Sequence, residues 1–446
     1  MLIILLILND TCYDAPINAL GLQMPWENPA DVTERRVKMI RFIVRFVLRS
    51  YVPAMAIIAI FCAQHSNSYA GDIAVDDLYA GRLLPDEVVD SFSHGDQFFA
   101  TRTVKSGRKT PLPYASQPLE NFVMQYKGRQ YDLYDILSLN RIAGLLVLKK
   151  GEIAFETMQL GQDHSTRWMS MSVTKTISGL LVGAAIQDGY ISSVDDPVTK
   201  YVPALVGTAY DGVTIRHVLT MRSGIAWTEV QADPKSSRGR LLAVQKEQRP
   251  GAWIDFVRTL ERQAPPGEVW NYSTGESQVL TAVLTGALDM PVSEYLSKRI
   301  WKPIGAERSA HWWLDARGGT EIGGSGFSAV LRDYGRLGLF LLNEGRVADD
   351  QVLPDGWMTA ATMPQQMGES FIPYGYQLWL IDKMMKQASG QCGQQAYGAL
   401  GAYGQVIYIN PSAETVIVIL SALPKAMIEP PIDHLSVLAS ICEALL

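Results

Sequence analysis

Ser172-Val173-Thr174-Lys175 sets a hydroxyl and an amine three residues apart, where the polar stretch His164 to Trp168 gives way to a helix-forming run. Positions i and i+3 share a helical face, so the amine stands beside the hydroxyl. A serine hydroxyl is a weak nucleophile until a base takes its proton. A lysine does so only where burial or nearby cations lower its pKa. The helix N-terminus adds partial positive charge that favours a developing anion. Alone, the motif is common by chance, and an ordinary exposed helix start is its plain reading. Two other stretches add to it. Asn271-Tyr272-Ser273-Thr274-Gly275 follows the turn Pro265-Pro266-Gly267, and a tyrosine held in a rigid turn can shuttle a proton. Ala399-Leu400-Gly401-Ala402-Tyr403-Gly404-Gln405 leads into a strand through small residues that let a substrate lie against main chain. A main-chain N–H there, with that of Ser172, would form an oxyanion hole. A surface-loop tyrosine and a glycine-rich turn are the plain alternatives.

These residues need elements to position them. Ala143 to Leu148 reads as a buried strand, Lys150-Gly151 as a turn, and Glu152 to Phe155 and Glu156 as its return. Gly404 to Ile409 and Thr415 to Leu420 read as two more strands around the turn Asn410-Pro411-Ser412-Ala413, and a helix from about Pro431 to Leu446 closes the chain. Between the strand groups the pattern is helical, over 172–187, 215–220, 253–262, 276–287, 292–301 and 329–343. Strands separated by a run of helices predict an α+β fold: an antiparallel sheet of five or more strands, flanked by helices, with an inserted helical subdomain. Residues 141–446 form this domain, and 71–140 read as a lead-in segment with short helices packed on it.

The chain has 446 residues, 48% of them hydrophobic, and a net charge of −6. That supports a large core and does not fit a nucleic-acid binder, which carries a basic excess. Residues 1–70 read as an N-terminal extension and signal peptide. Arg35, Arg36, Lys38, Arg41, Arg45 and Arg49 precede an apolar stretch from Tyr51 to Cys62 and a small-x-small site at Ser68-Tyr69-Ala70. Export to a bacterial periplasm is expected; a membrane anchor at residues 51–62 is the alternative, though a spanning helix needs roughly 20 residues. Met24 or Met39 is a candidate start. Removing Cys12 and Cys62 leaves Cys392 and Cys442. Two buried free thiols are the favoured reading, and a disulfide, which export permits, the other. No His or Cys cluster has ligand spacing, so neither metal nor cofactor is expected.

In order and spacing, the three chemical stretches resemble the class C β-lactamase and DD-peptidase family, and within it the esterases and 6-aminohexanoate-dimer hydrolases. The resemblance spans about residues 140 to 446. It extends to Val194-Asp195-Asp196-Pro197-Val198, the run from Thr214 to Ile225, Arg299 to Ala306, and Gly323-Gly324-Ser325-Gly326-Phe327-Ser328 before a helix with Asp333, Arg336 and Gly338. It implies a serine hydrolase: Ser172 as nucleophile, Lys175 and Tyr272 moving the proton, the N–H groups of Ser172 and Ala402 holding the oxyanion, and no cofactor. His217 is read as structural. The partner implied is a small ester or amide. Two departures matter. Thr274 stands where β-lactam-active members carry Asn, and Ala399 where they carry Lys or His. An uncharged linear amide or ester is therefore expected over a penicillin, unless Arg222 or Lys235 replaces the missing cation. Thr274, Ala399, Gly401 and Tyr403 are expected to line the cleft. Glu229 and Asp233, from the loop Trp227 to Pro234, would face a substrate amine. A β-lactamase or peptidoglycan DD-peptidase, and a non-catalytic cell-envelope binding protein of the same fold, are the competing readings.

Overall fold

The computed structural model describes residues 73–385 and 390–446. The expected leader, its possible starts, Cys12 and Cys62 lie outside the described residues. Five strands make the main sheet: β1 (Ile142–Lys149), β2 (Glu152–Met158), β3 (Tyr397–Gly401), β4 (Gln405–Asn410) and β5 (Thr415–Ser421). Their spatial order is β3-β4-β5-β1-β2, all antiparallel. The central pairing of β5 with β1 joins the two ends of the domain, with Val416 opposite Leu148 and Val418 opposite Leu146.

Side chains alternate across a strand, and here both faces are covered. Leu146, Leu148, Ile407, Ile409, Val416 and Val418 enter one core. Leu145, Val147, Val406, Tyr408, Ile417 and Ile419 enter the other. A strand buried on both sides reads as an unbroken apolar run, as Thr415 to Leu420 does.

The helices that matter here are α1 (Val173–Gln187), α2 (Ser237–Lys246), α3 (Thr274–Ala287), α4 (Leu331–Leu342) and α5 (His434–Ala444). Helix α4 lies directly on the first face. A Cβ added at Gly338 would stand 2.4 Å from Val416 Cγ1, so only glycine admits this approach. Helix α1 is buried on nearly all sides from Val173 to Ala185, as a central helix must be when it is apolar all round. On the far face α5 packs Val437, Leu438 and Ile441. It also carries Cys442, which is disulfide-bonded to Cys392 with Cα atoms 5.9 Å apart. This corrects the expectation of free thiols: the segment before β3 and helix α5 share one face of the sheet, a proximity that sequence spacing does not reveal.

The insertion between β2 and β3 is helical as expected, with altered ends. The helix expected over 253–262 is Ala252–Val257. Glu261 and Gln263 instead bond in extended fashion to Ala226 and Gly224. Residues 73–446 form one compact unit, and the lead-in is built into it. Its strand Thr101–Val104 pairs with Ala310–Trp313, opening a second antiparallel sheet completed by Phe327–Ala329 and Trp168–Met169. That sheet ends beside both Ser172 and Gly324, so it fixes the cleft.

Candidate active site

Ser172 caps the N-terminus of α1 with helical backbone angles, φ −68° and ψ −6°. Met171 before it is held at φ 48°, an uncommon conformation for a residue with a Cβ. Thr174 Oγ1 donates to the Met171 carbonyl (2.7 Å) and accepts from Phe327 N (3.3 Å). Ser170 N donates to the Phe327 carbonyl (2.9 Å). The turn that presents Ser172 is thus tied to the second sheet on both sides.

Lys175, one turn on, is 2% exposed. Its Nζ lies 3.0 Å from Gly324 O, 3.0 Å from Thr274 Oγ1 and 3.3 Å from Ser172 Oγ. Burial lowers its pKa from 10.5 to about 8; Glu229 opposes that shift and Arg238 adds to it. Thr274 opens α3, whose N-cap Ser273 accepts from Glu276 N (3.2 Å). The Thr274 hydroxyl donates to Glu229 Oε1 (2.5 Å), and its N–H donates to Glu229 Oε2 (2.9 Å). Since that hydroxyl proton is committed to Glu229, Thr274 Oγ1 can only accept from Lys175.

Tyr272 lies beside the Ser172 hydroxyl, which draws its pKa down, but burial is the larger effect and raises it above the usual tyrosine range. Its ring stacks on Trp379 at 5.6 Å and meets Tyr374 edge-on at 6.0 Å. Lys175 Nζ sits 5.3 Å from the ring centroid. Across the cleft, the N–H groups of Ser172 and Ala402 donate to no acceptor among the described residues. Both residues line one small cleft.

Ser172, Lys175, Tyr272, Thr274 and Ala402 are therefore brought together. Other expected cleft residues are placed differently. Glu229 is engaged by Thr274 and by Trp227 Nε1 (2.5 Å), so it supports Thr274 rather than facing a substrate amine. Asp233 is in an exposed turn, where its carboxylate accepts from Lys235 N (2.8 Å). Tyr403 is fully buried, packs on Phe92, and donates to the Leu78 carbonyl. Ala399 is 1% exposed within the core. Gly401 is a spacer: a Cβ there would lie 2.5 Å from the Ser170 carbonyl oxygen. His217 Nδ1 accepts from Thr214 N (3.2 Å) at its own helix start.

Sequence reasoning missed the Gly324 carbonyl, Arg238, Tyr79 and Ser325, which all border the cleft. The run Gly323 to Ser328 was visible only as a fold feature. Tyr79 comes from the lead-in, where no chemical signal was legible. Among the described residues no cluster of His, Cys, Asp and Glu could hold a metal.

An antiparallel sheet with a helical insertion, and a Ser-x-x-Lys turn opening its buried central helix, defines the β-lactamase/DD-peptidase fold. The chain belongs to the β-lactamase family, whose sequence pattern matches residues 141–435. It is 29% identical over 294 residues to a 6-aminohexanoate-dimer hydrolase of Paenarthrobacter ureafaciens, covering 63% of this chain and 72% of that protein. A Bacillus anthracis structure described as a candidate 6-aminohexanoate-dimer hydrolase superposes with a TM-score of 0.70 at 21% identity, covering 83% of this chain and 96% of that one. The octameric penicillin-binding protein homologue from Pyrococcus abyssi superposes at 0.52 with 18% identity, over 70% and 75% of the two chains. The two structural likenesses show the fold.

Proposed function

We propose that the protein is a serine hydrolase that cleaves linear amides or esters through an acyl-enzyme on Ser172. One observation carries the reading. Two hydrogens of the Lys175 amine are taken by acceptors, Gly324 O and Thr274 Oγ1, and the remaining direction points at Ser172 Oγ. In the neutral amine that direction is the lone pair, so the serine hydroxyl donates to it. A pKa of about 8 keeps a usable fraction of neutral amine near neutral pH.

Ser172 Oγ attacks the substrate carbonyl while its proton passes to Lys175. The oxyanion settles on the N–H groups of Ser172 and Ala402. Tyr272, a neutral phenol, donates its proton to the leaving amine or alkoxide and is restored from Lys175. Water then attacks the acyl-enzyme, giving one proton back through the same groups, and the acid leaves. The aromatic wall around Tyr272 supports an apolar leaving portion. The hydrolase relative from Paenarthrobacter supports an amide substrate. Ala399, closed into the core, supports a linear substrate over a β-lactam. The Cys392–Cys442 bond supports the exported location that the N-terminal pattern suggests.

A fluorophosphonate probe tests the core of this reading. Labelling of the native protein and its loss in Ser172→Ala are expected. An unlabelled native protein that also leaves p-nitrophenyl esters intact would remove the hydrolase assignment. Faster turnover of nitrocefin than of those esters would favour the β-lactamase.

A further inference from the structure

Arg238 is 2% exposed and sits in the first turn of α2, behind the N-cap Ser236, whose Oγ accepts from Gly239 N (2.9 Å). A cation at that end opposes the helix dipole. Its guanidinium donates no hydrogen bond to any described residue, and Nη1 is buried without a partner. Its contacts are the Tyr79 ring, 4.5 Å from the guanidinium carbon, and Glu229 Oε1 at 3.9 Å. The Glu229 oxygens are already taken up by Thr274 and Trp227.

Arg238 is not alone. Tyr79 Oη and Ser325 Oγ are also buried without partners, on residues each 4% exposed. Gln231 Oε1 is the one unpartnered acceptor beside them. These four residues border the same cleft as Ser172 and Ala402, whose enclosed space is only about 10 Å³. Buried polar groups are nearly always bonded, and a concentration of unsatisfied donors beside a nucleophile marks where a ligand completes them. Arginine, tyrosine and serine hydrogens together call for an anionic acceptor, and a planar guanidinium suits a carboxylate. The residues expected as alternatives to the cation missing at Ala399 are elsewhere. Arg222 donates to Gln365 (3.1 Å) and to the Gly267 carbonyl, and Lys235 is exposed.

We infer that Arg238, with Tyr79 and Ser325, binds a carboxylate on the acyl half of the substrate, close to the scissile carbonyl. This rests on the hydrolase reading and names its substrate class. The acyl half is assigned because Trp270, Tyr272, Tyr374 and Trp379 are absent from the lining of this space, which leaves the leaving group to the aromatic side. The small volume keeps the carboxylate only a few bonds from the carbonyl. The preferred substrates are thus monoesters or monoamides of short dicarboxylic acids, rather than uncharged acyl groups.

The test compares p-nitrophenyl hemiglutarate with p-nitrophenyl pentanoate, and 4-acetoxybenzoate with phenyl acetate. Arg238→Gln is expected to lose roughly ten- to a hundredfold more kcat/KM on the hemiglutarate than on the pentanoate, mostly through KM, as befits a lost charge-assisted bond. Tyr79→Phe and Ser325→Ala, milder changes, are each expected to lose severalfold on the hemiglutarate relative to the pentanoate. Equal losses on both esters in all three variants overturn the proposal. A selective loss on 4-acetoxybenzoate overturns the acyl-side placement. Binding is read separately by titrating glutarate into Ser172→Ala by calorimetry, where adding Arg238→Gln should weaken it at least tenfold. If the native enzyme hydrolyses none of these esters but glutarate binding still depends on Arg238, the anion site stands and the hydrolase reading falls. No glutarate binding to Ser172→Ala overturns the site itself.

Discussion

Arg336 and Arg238 are each 2% exposed, yet their surroundings are opposite. Arg336, on α4, donates to Asp333 Oδ1 and Glu307 Oε1, both at 3.0 Å, and to the Thr110 carbonyl at 2.5 Å. Asp333 also accepts from the backbone N–H groups of Glu307 (2.7 Å) and Arg308 (3.0 Å). Burial lifts the Asp333 pKa to about 6, while those donors and Arg336 pull against the rise. This cluster ties the lead-in, the loop carrying Glu307 and Arg308, and α4 together. Arg238 has one carboxylate at 3.9 Å and an aromatic face. The first cluster is closed on itself except at Arg336 Nε, which lacks a partner, and is architecture. The second is open toward Ser172 and is completed only by something bound. Burial of a charge therefore does not identify a site; a guanidinium with no hydrogen bond at all, clustered with other unpartnered donors beside a nucleophile, does.

Variants at the two clusters should separate cleanly. Ser172→Ala is expected to lower kcat on p-nitrophenyl esters by about 10⁴-fold or more with an unchanged melting temperature. Lys175→Ala and Tyr272→Phe should each lose most of the rate, and the double variant little more, because they act as one proton-transfer unit. Additive losses would make them independent. At the other cluster, Arg336→Met strands Asp333, while Glu307 keeps Lys109 at 3.1 Å, and should cost about 3 kcal/mol in denaturant unfolding, with kcat/KM of the folded enzyme kept. A loss of rate per folded molecule at Arg336 would break the distinction.

Acidity sharpens it further. The proton acceptor must be neutral, and Lys175 titrates near 8. kcat/KM on a neutral ester should thus fall about tenfold per unit as pH drops below 8, and level off above. Arg238 helps lower that pKa, so Arg238→Met should move the midpoint upward. A rate independent of pH between 6 and 9 would exclude Lys175 as the base. Arg336→Met should leave the midpoint in place, since Arg336 is not among the groups acting on Lys175.

What was legible in the sequence follows the same division. β1, β4 and β5 are apolar runs because both faces of the sheet are covered, and they read directly. The Ser-x-x-Lys pair also read directly, since helical spacing alone sets those two side chains together. Strand β3, Tyr-Gly-Ala-Leu-Gly, showed only as small residues leading into a strand, with a glycine-rich turn as the plain alternative, and Gly401 in it serves close approach to Ser170. Helix α2 was hidden: it buries Arg238 and Gln245 beside Leu241 and Leu242, so its inner face carries no clean apolar stripe. The Gly324 contact is made by a main-chain carbonyl, which residue identity does not mark. Glu229 was legible as a cleft residue, but whether its carboxylate faces a substrate or Thr274 is decided by the tertiary fold.

The smallest expected effect is the most discriminating. Arg238→Met removes a buried charge that has no hydrogen-bonded partner, and so relieves a desolvation cost that no hydrogen bond in the protein offsets. It forfeits a cation–π contact with Tyr79, worth on the order of 0.5–2 kcal/mol, and a distant attraction to Glu229. Methionine keeps much of the buried stem. Replacing poorly paired buried ions by apolar groups is often neutral or stabilising, so the net change should lie within about 1 kcal/mol of zero, leaning toward greater stability. Glutarate should raise the melting temperature of the native protein and leave that of Arg238→Met unmoved, since only a ligand of the folded state stabilises it. If Arg238→Met instead destabilises as strongly as Arg336→Met, Arg238 is held for architecture after all, and the contrast between the two arginines collapses.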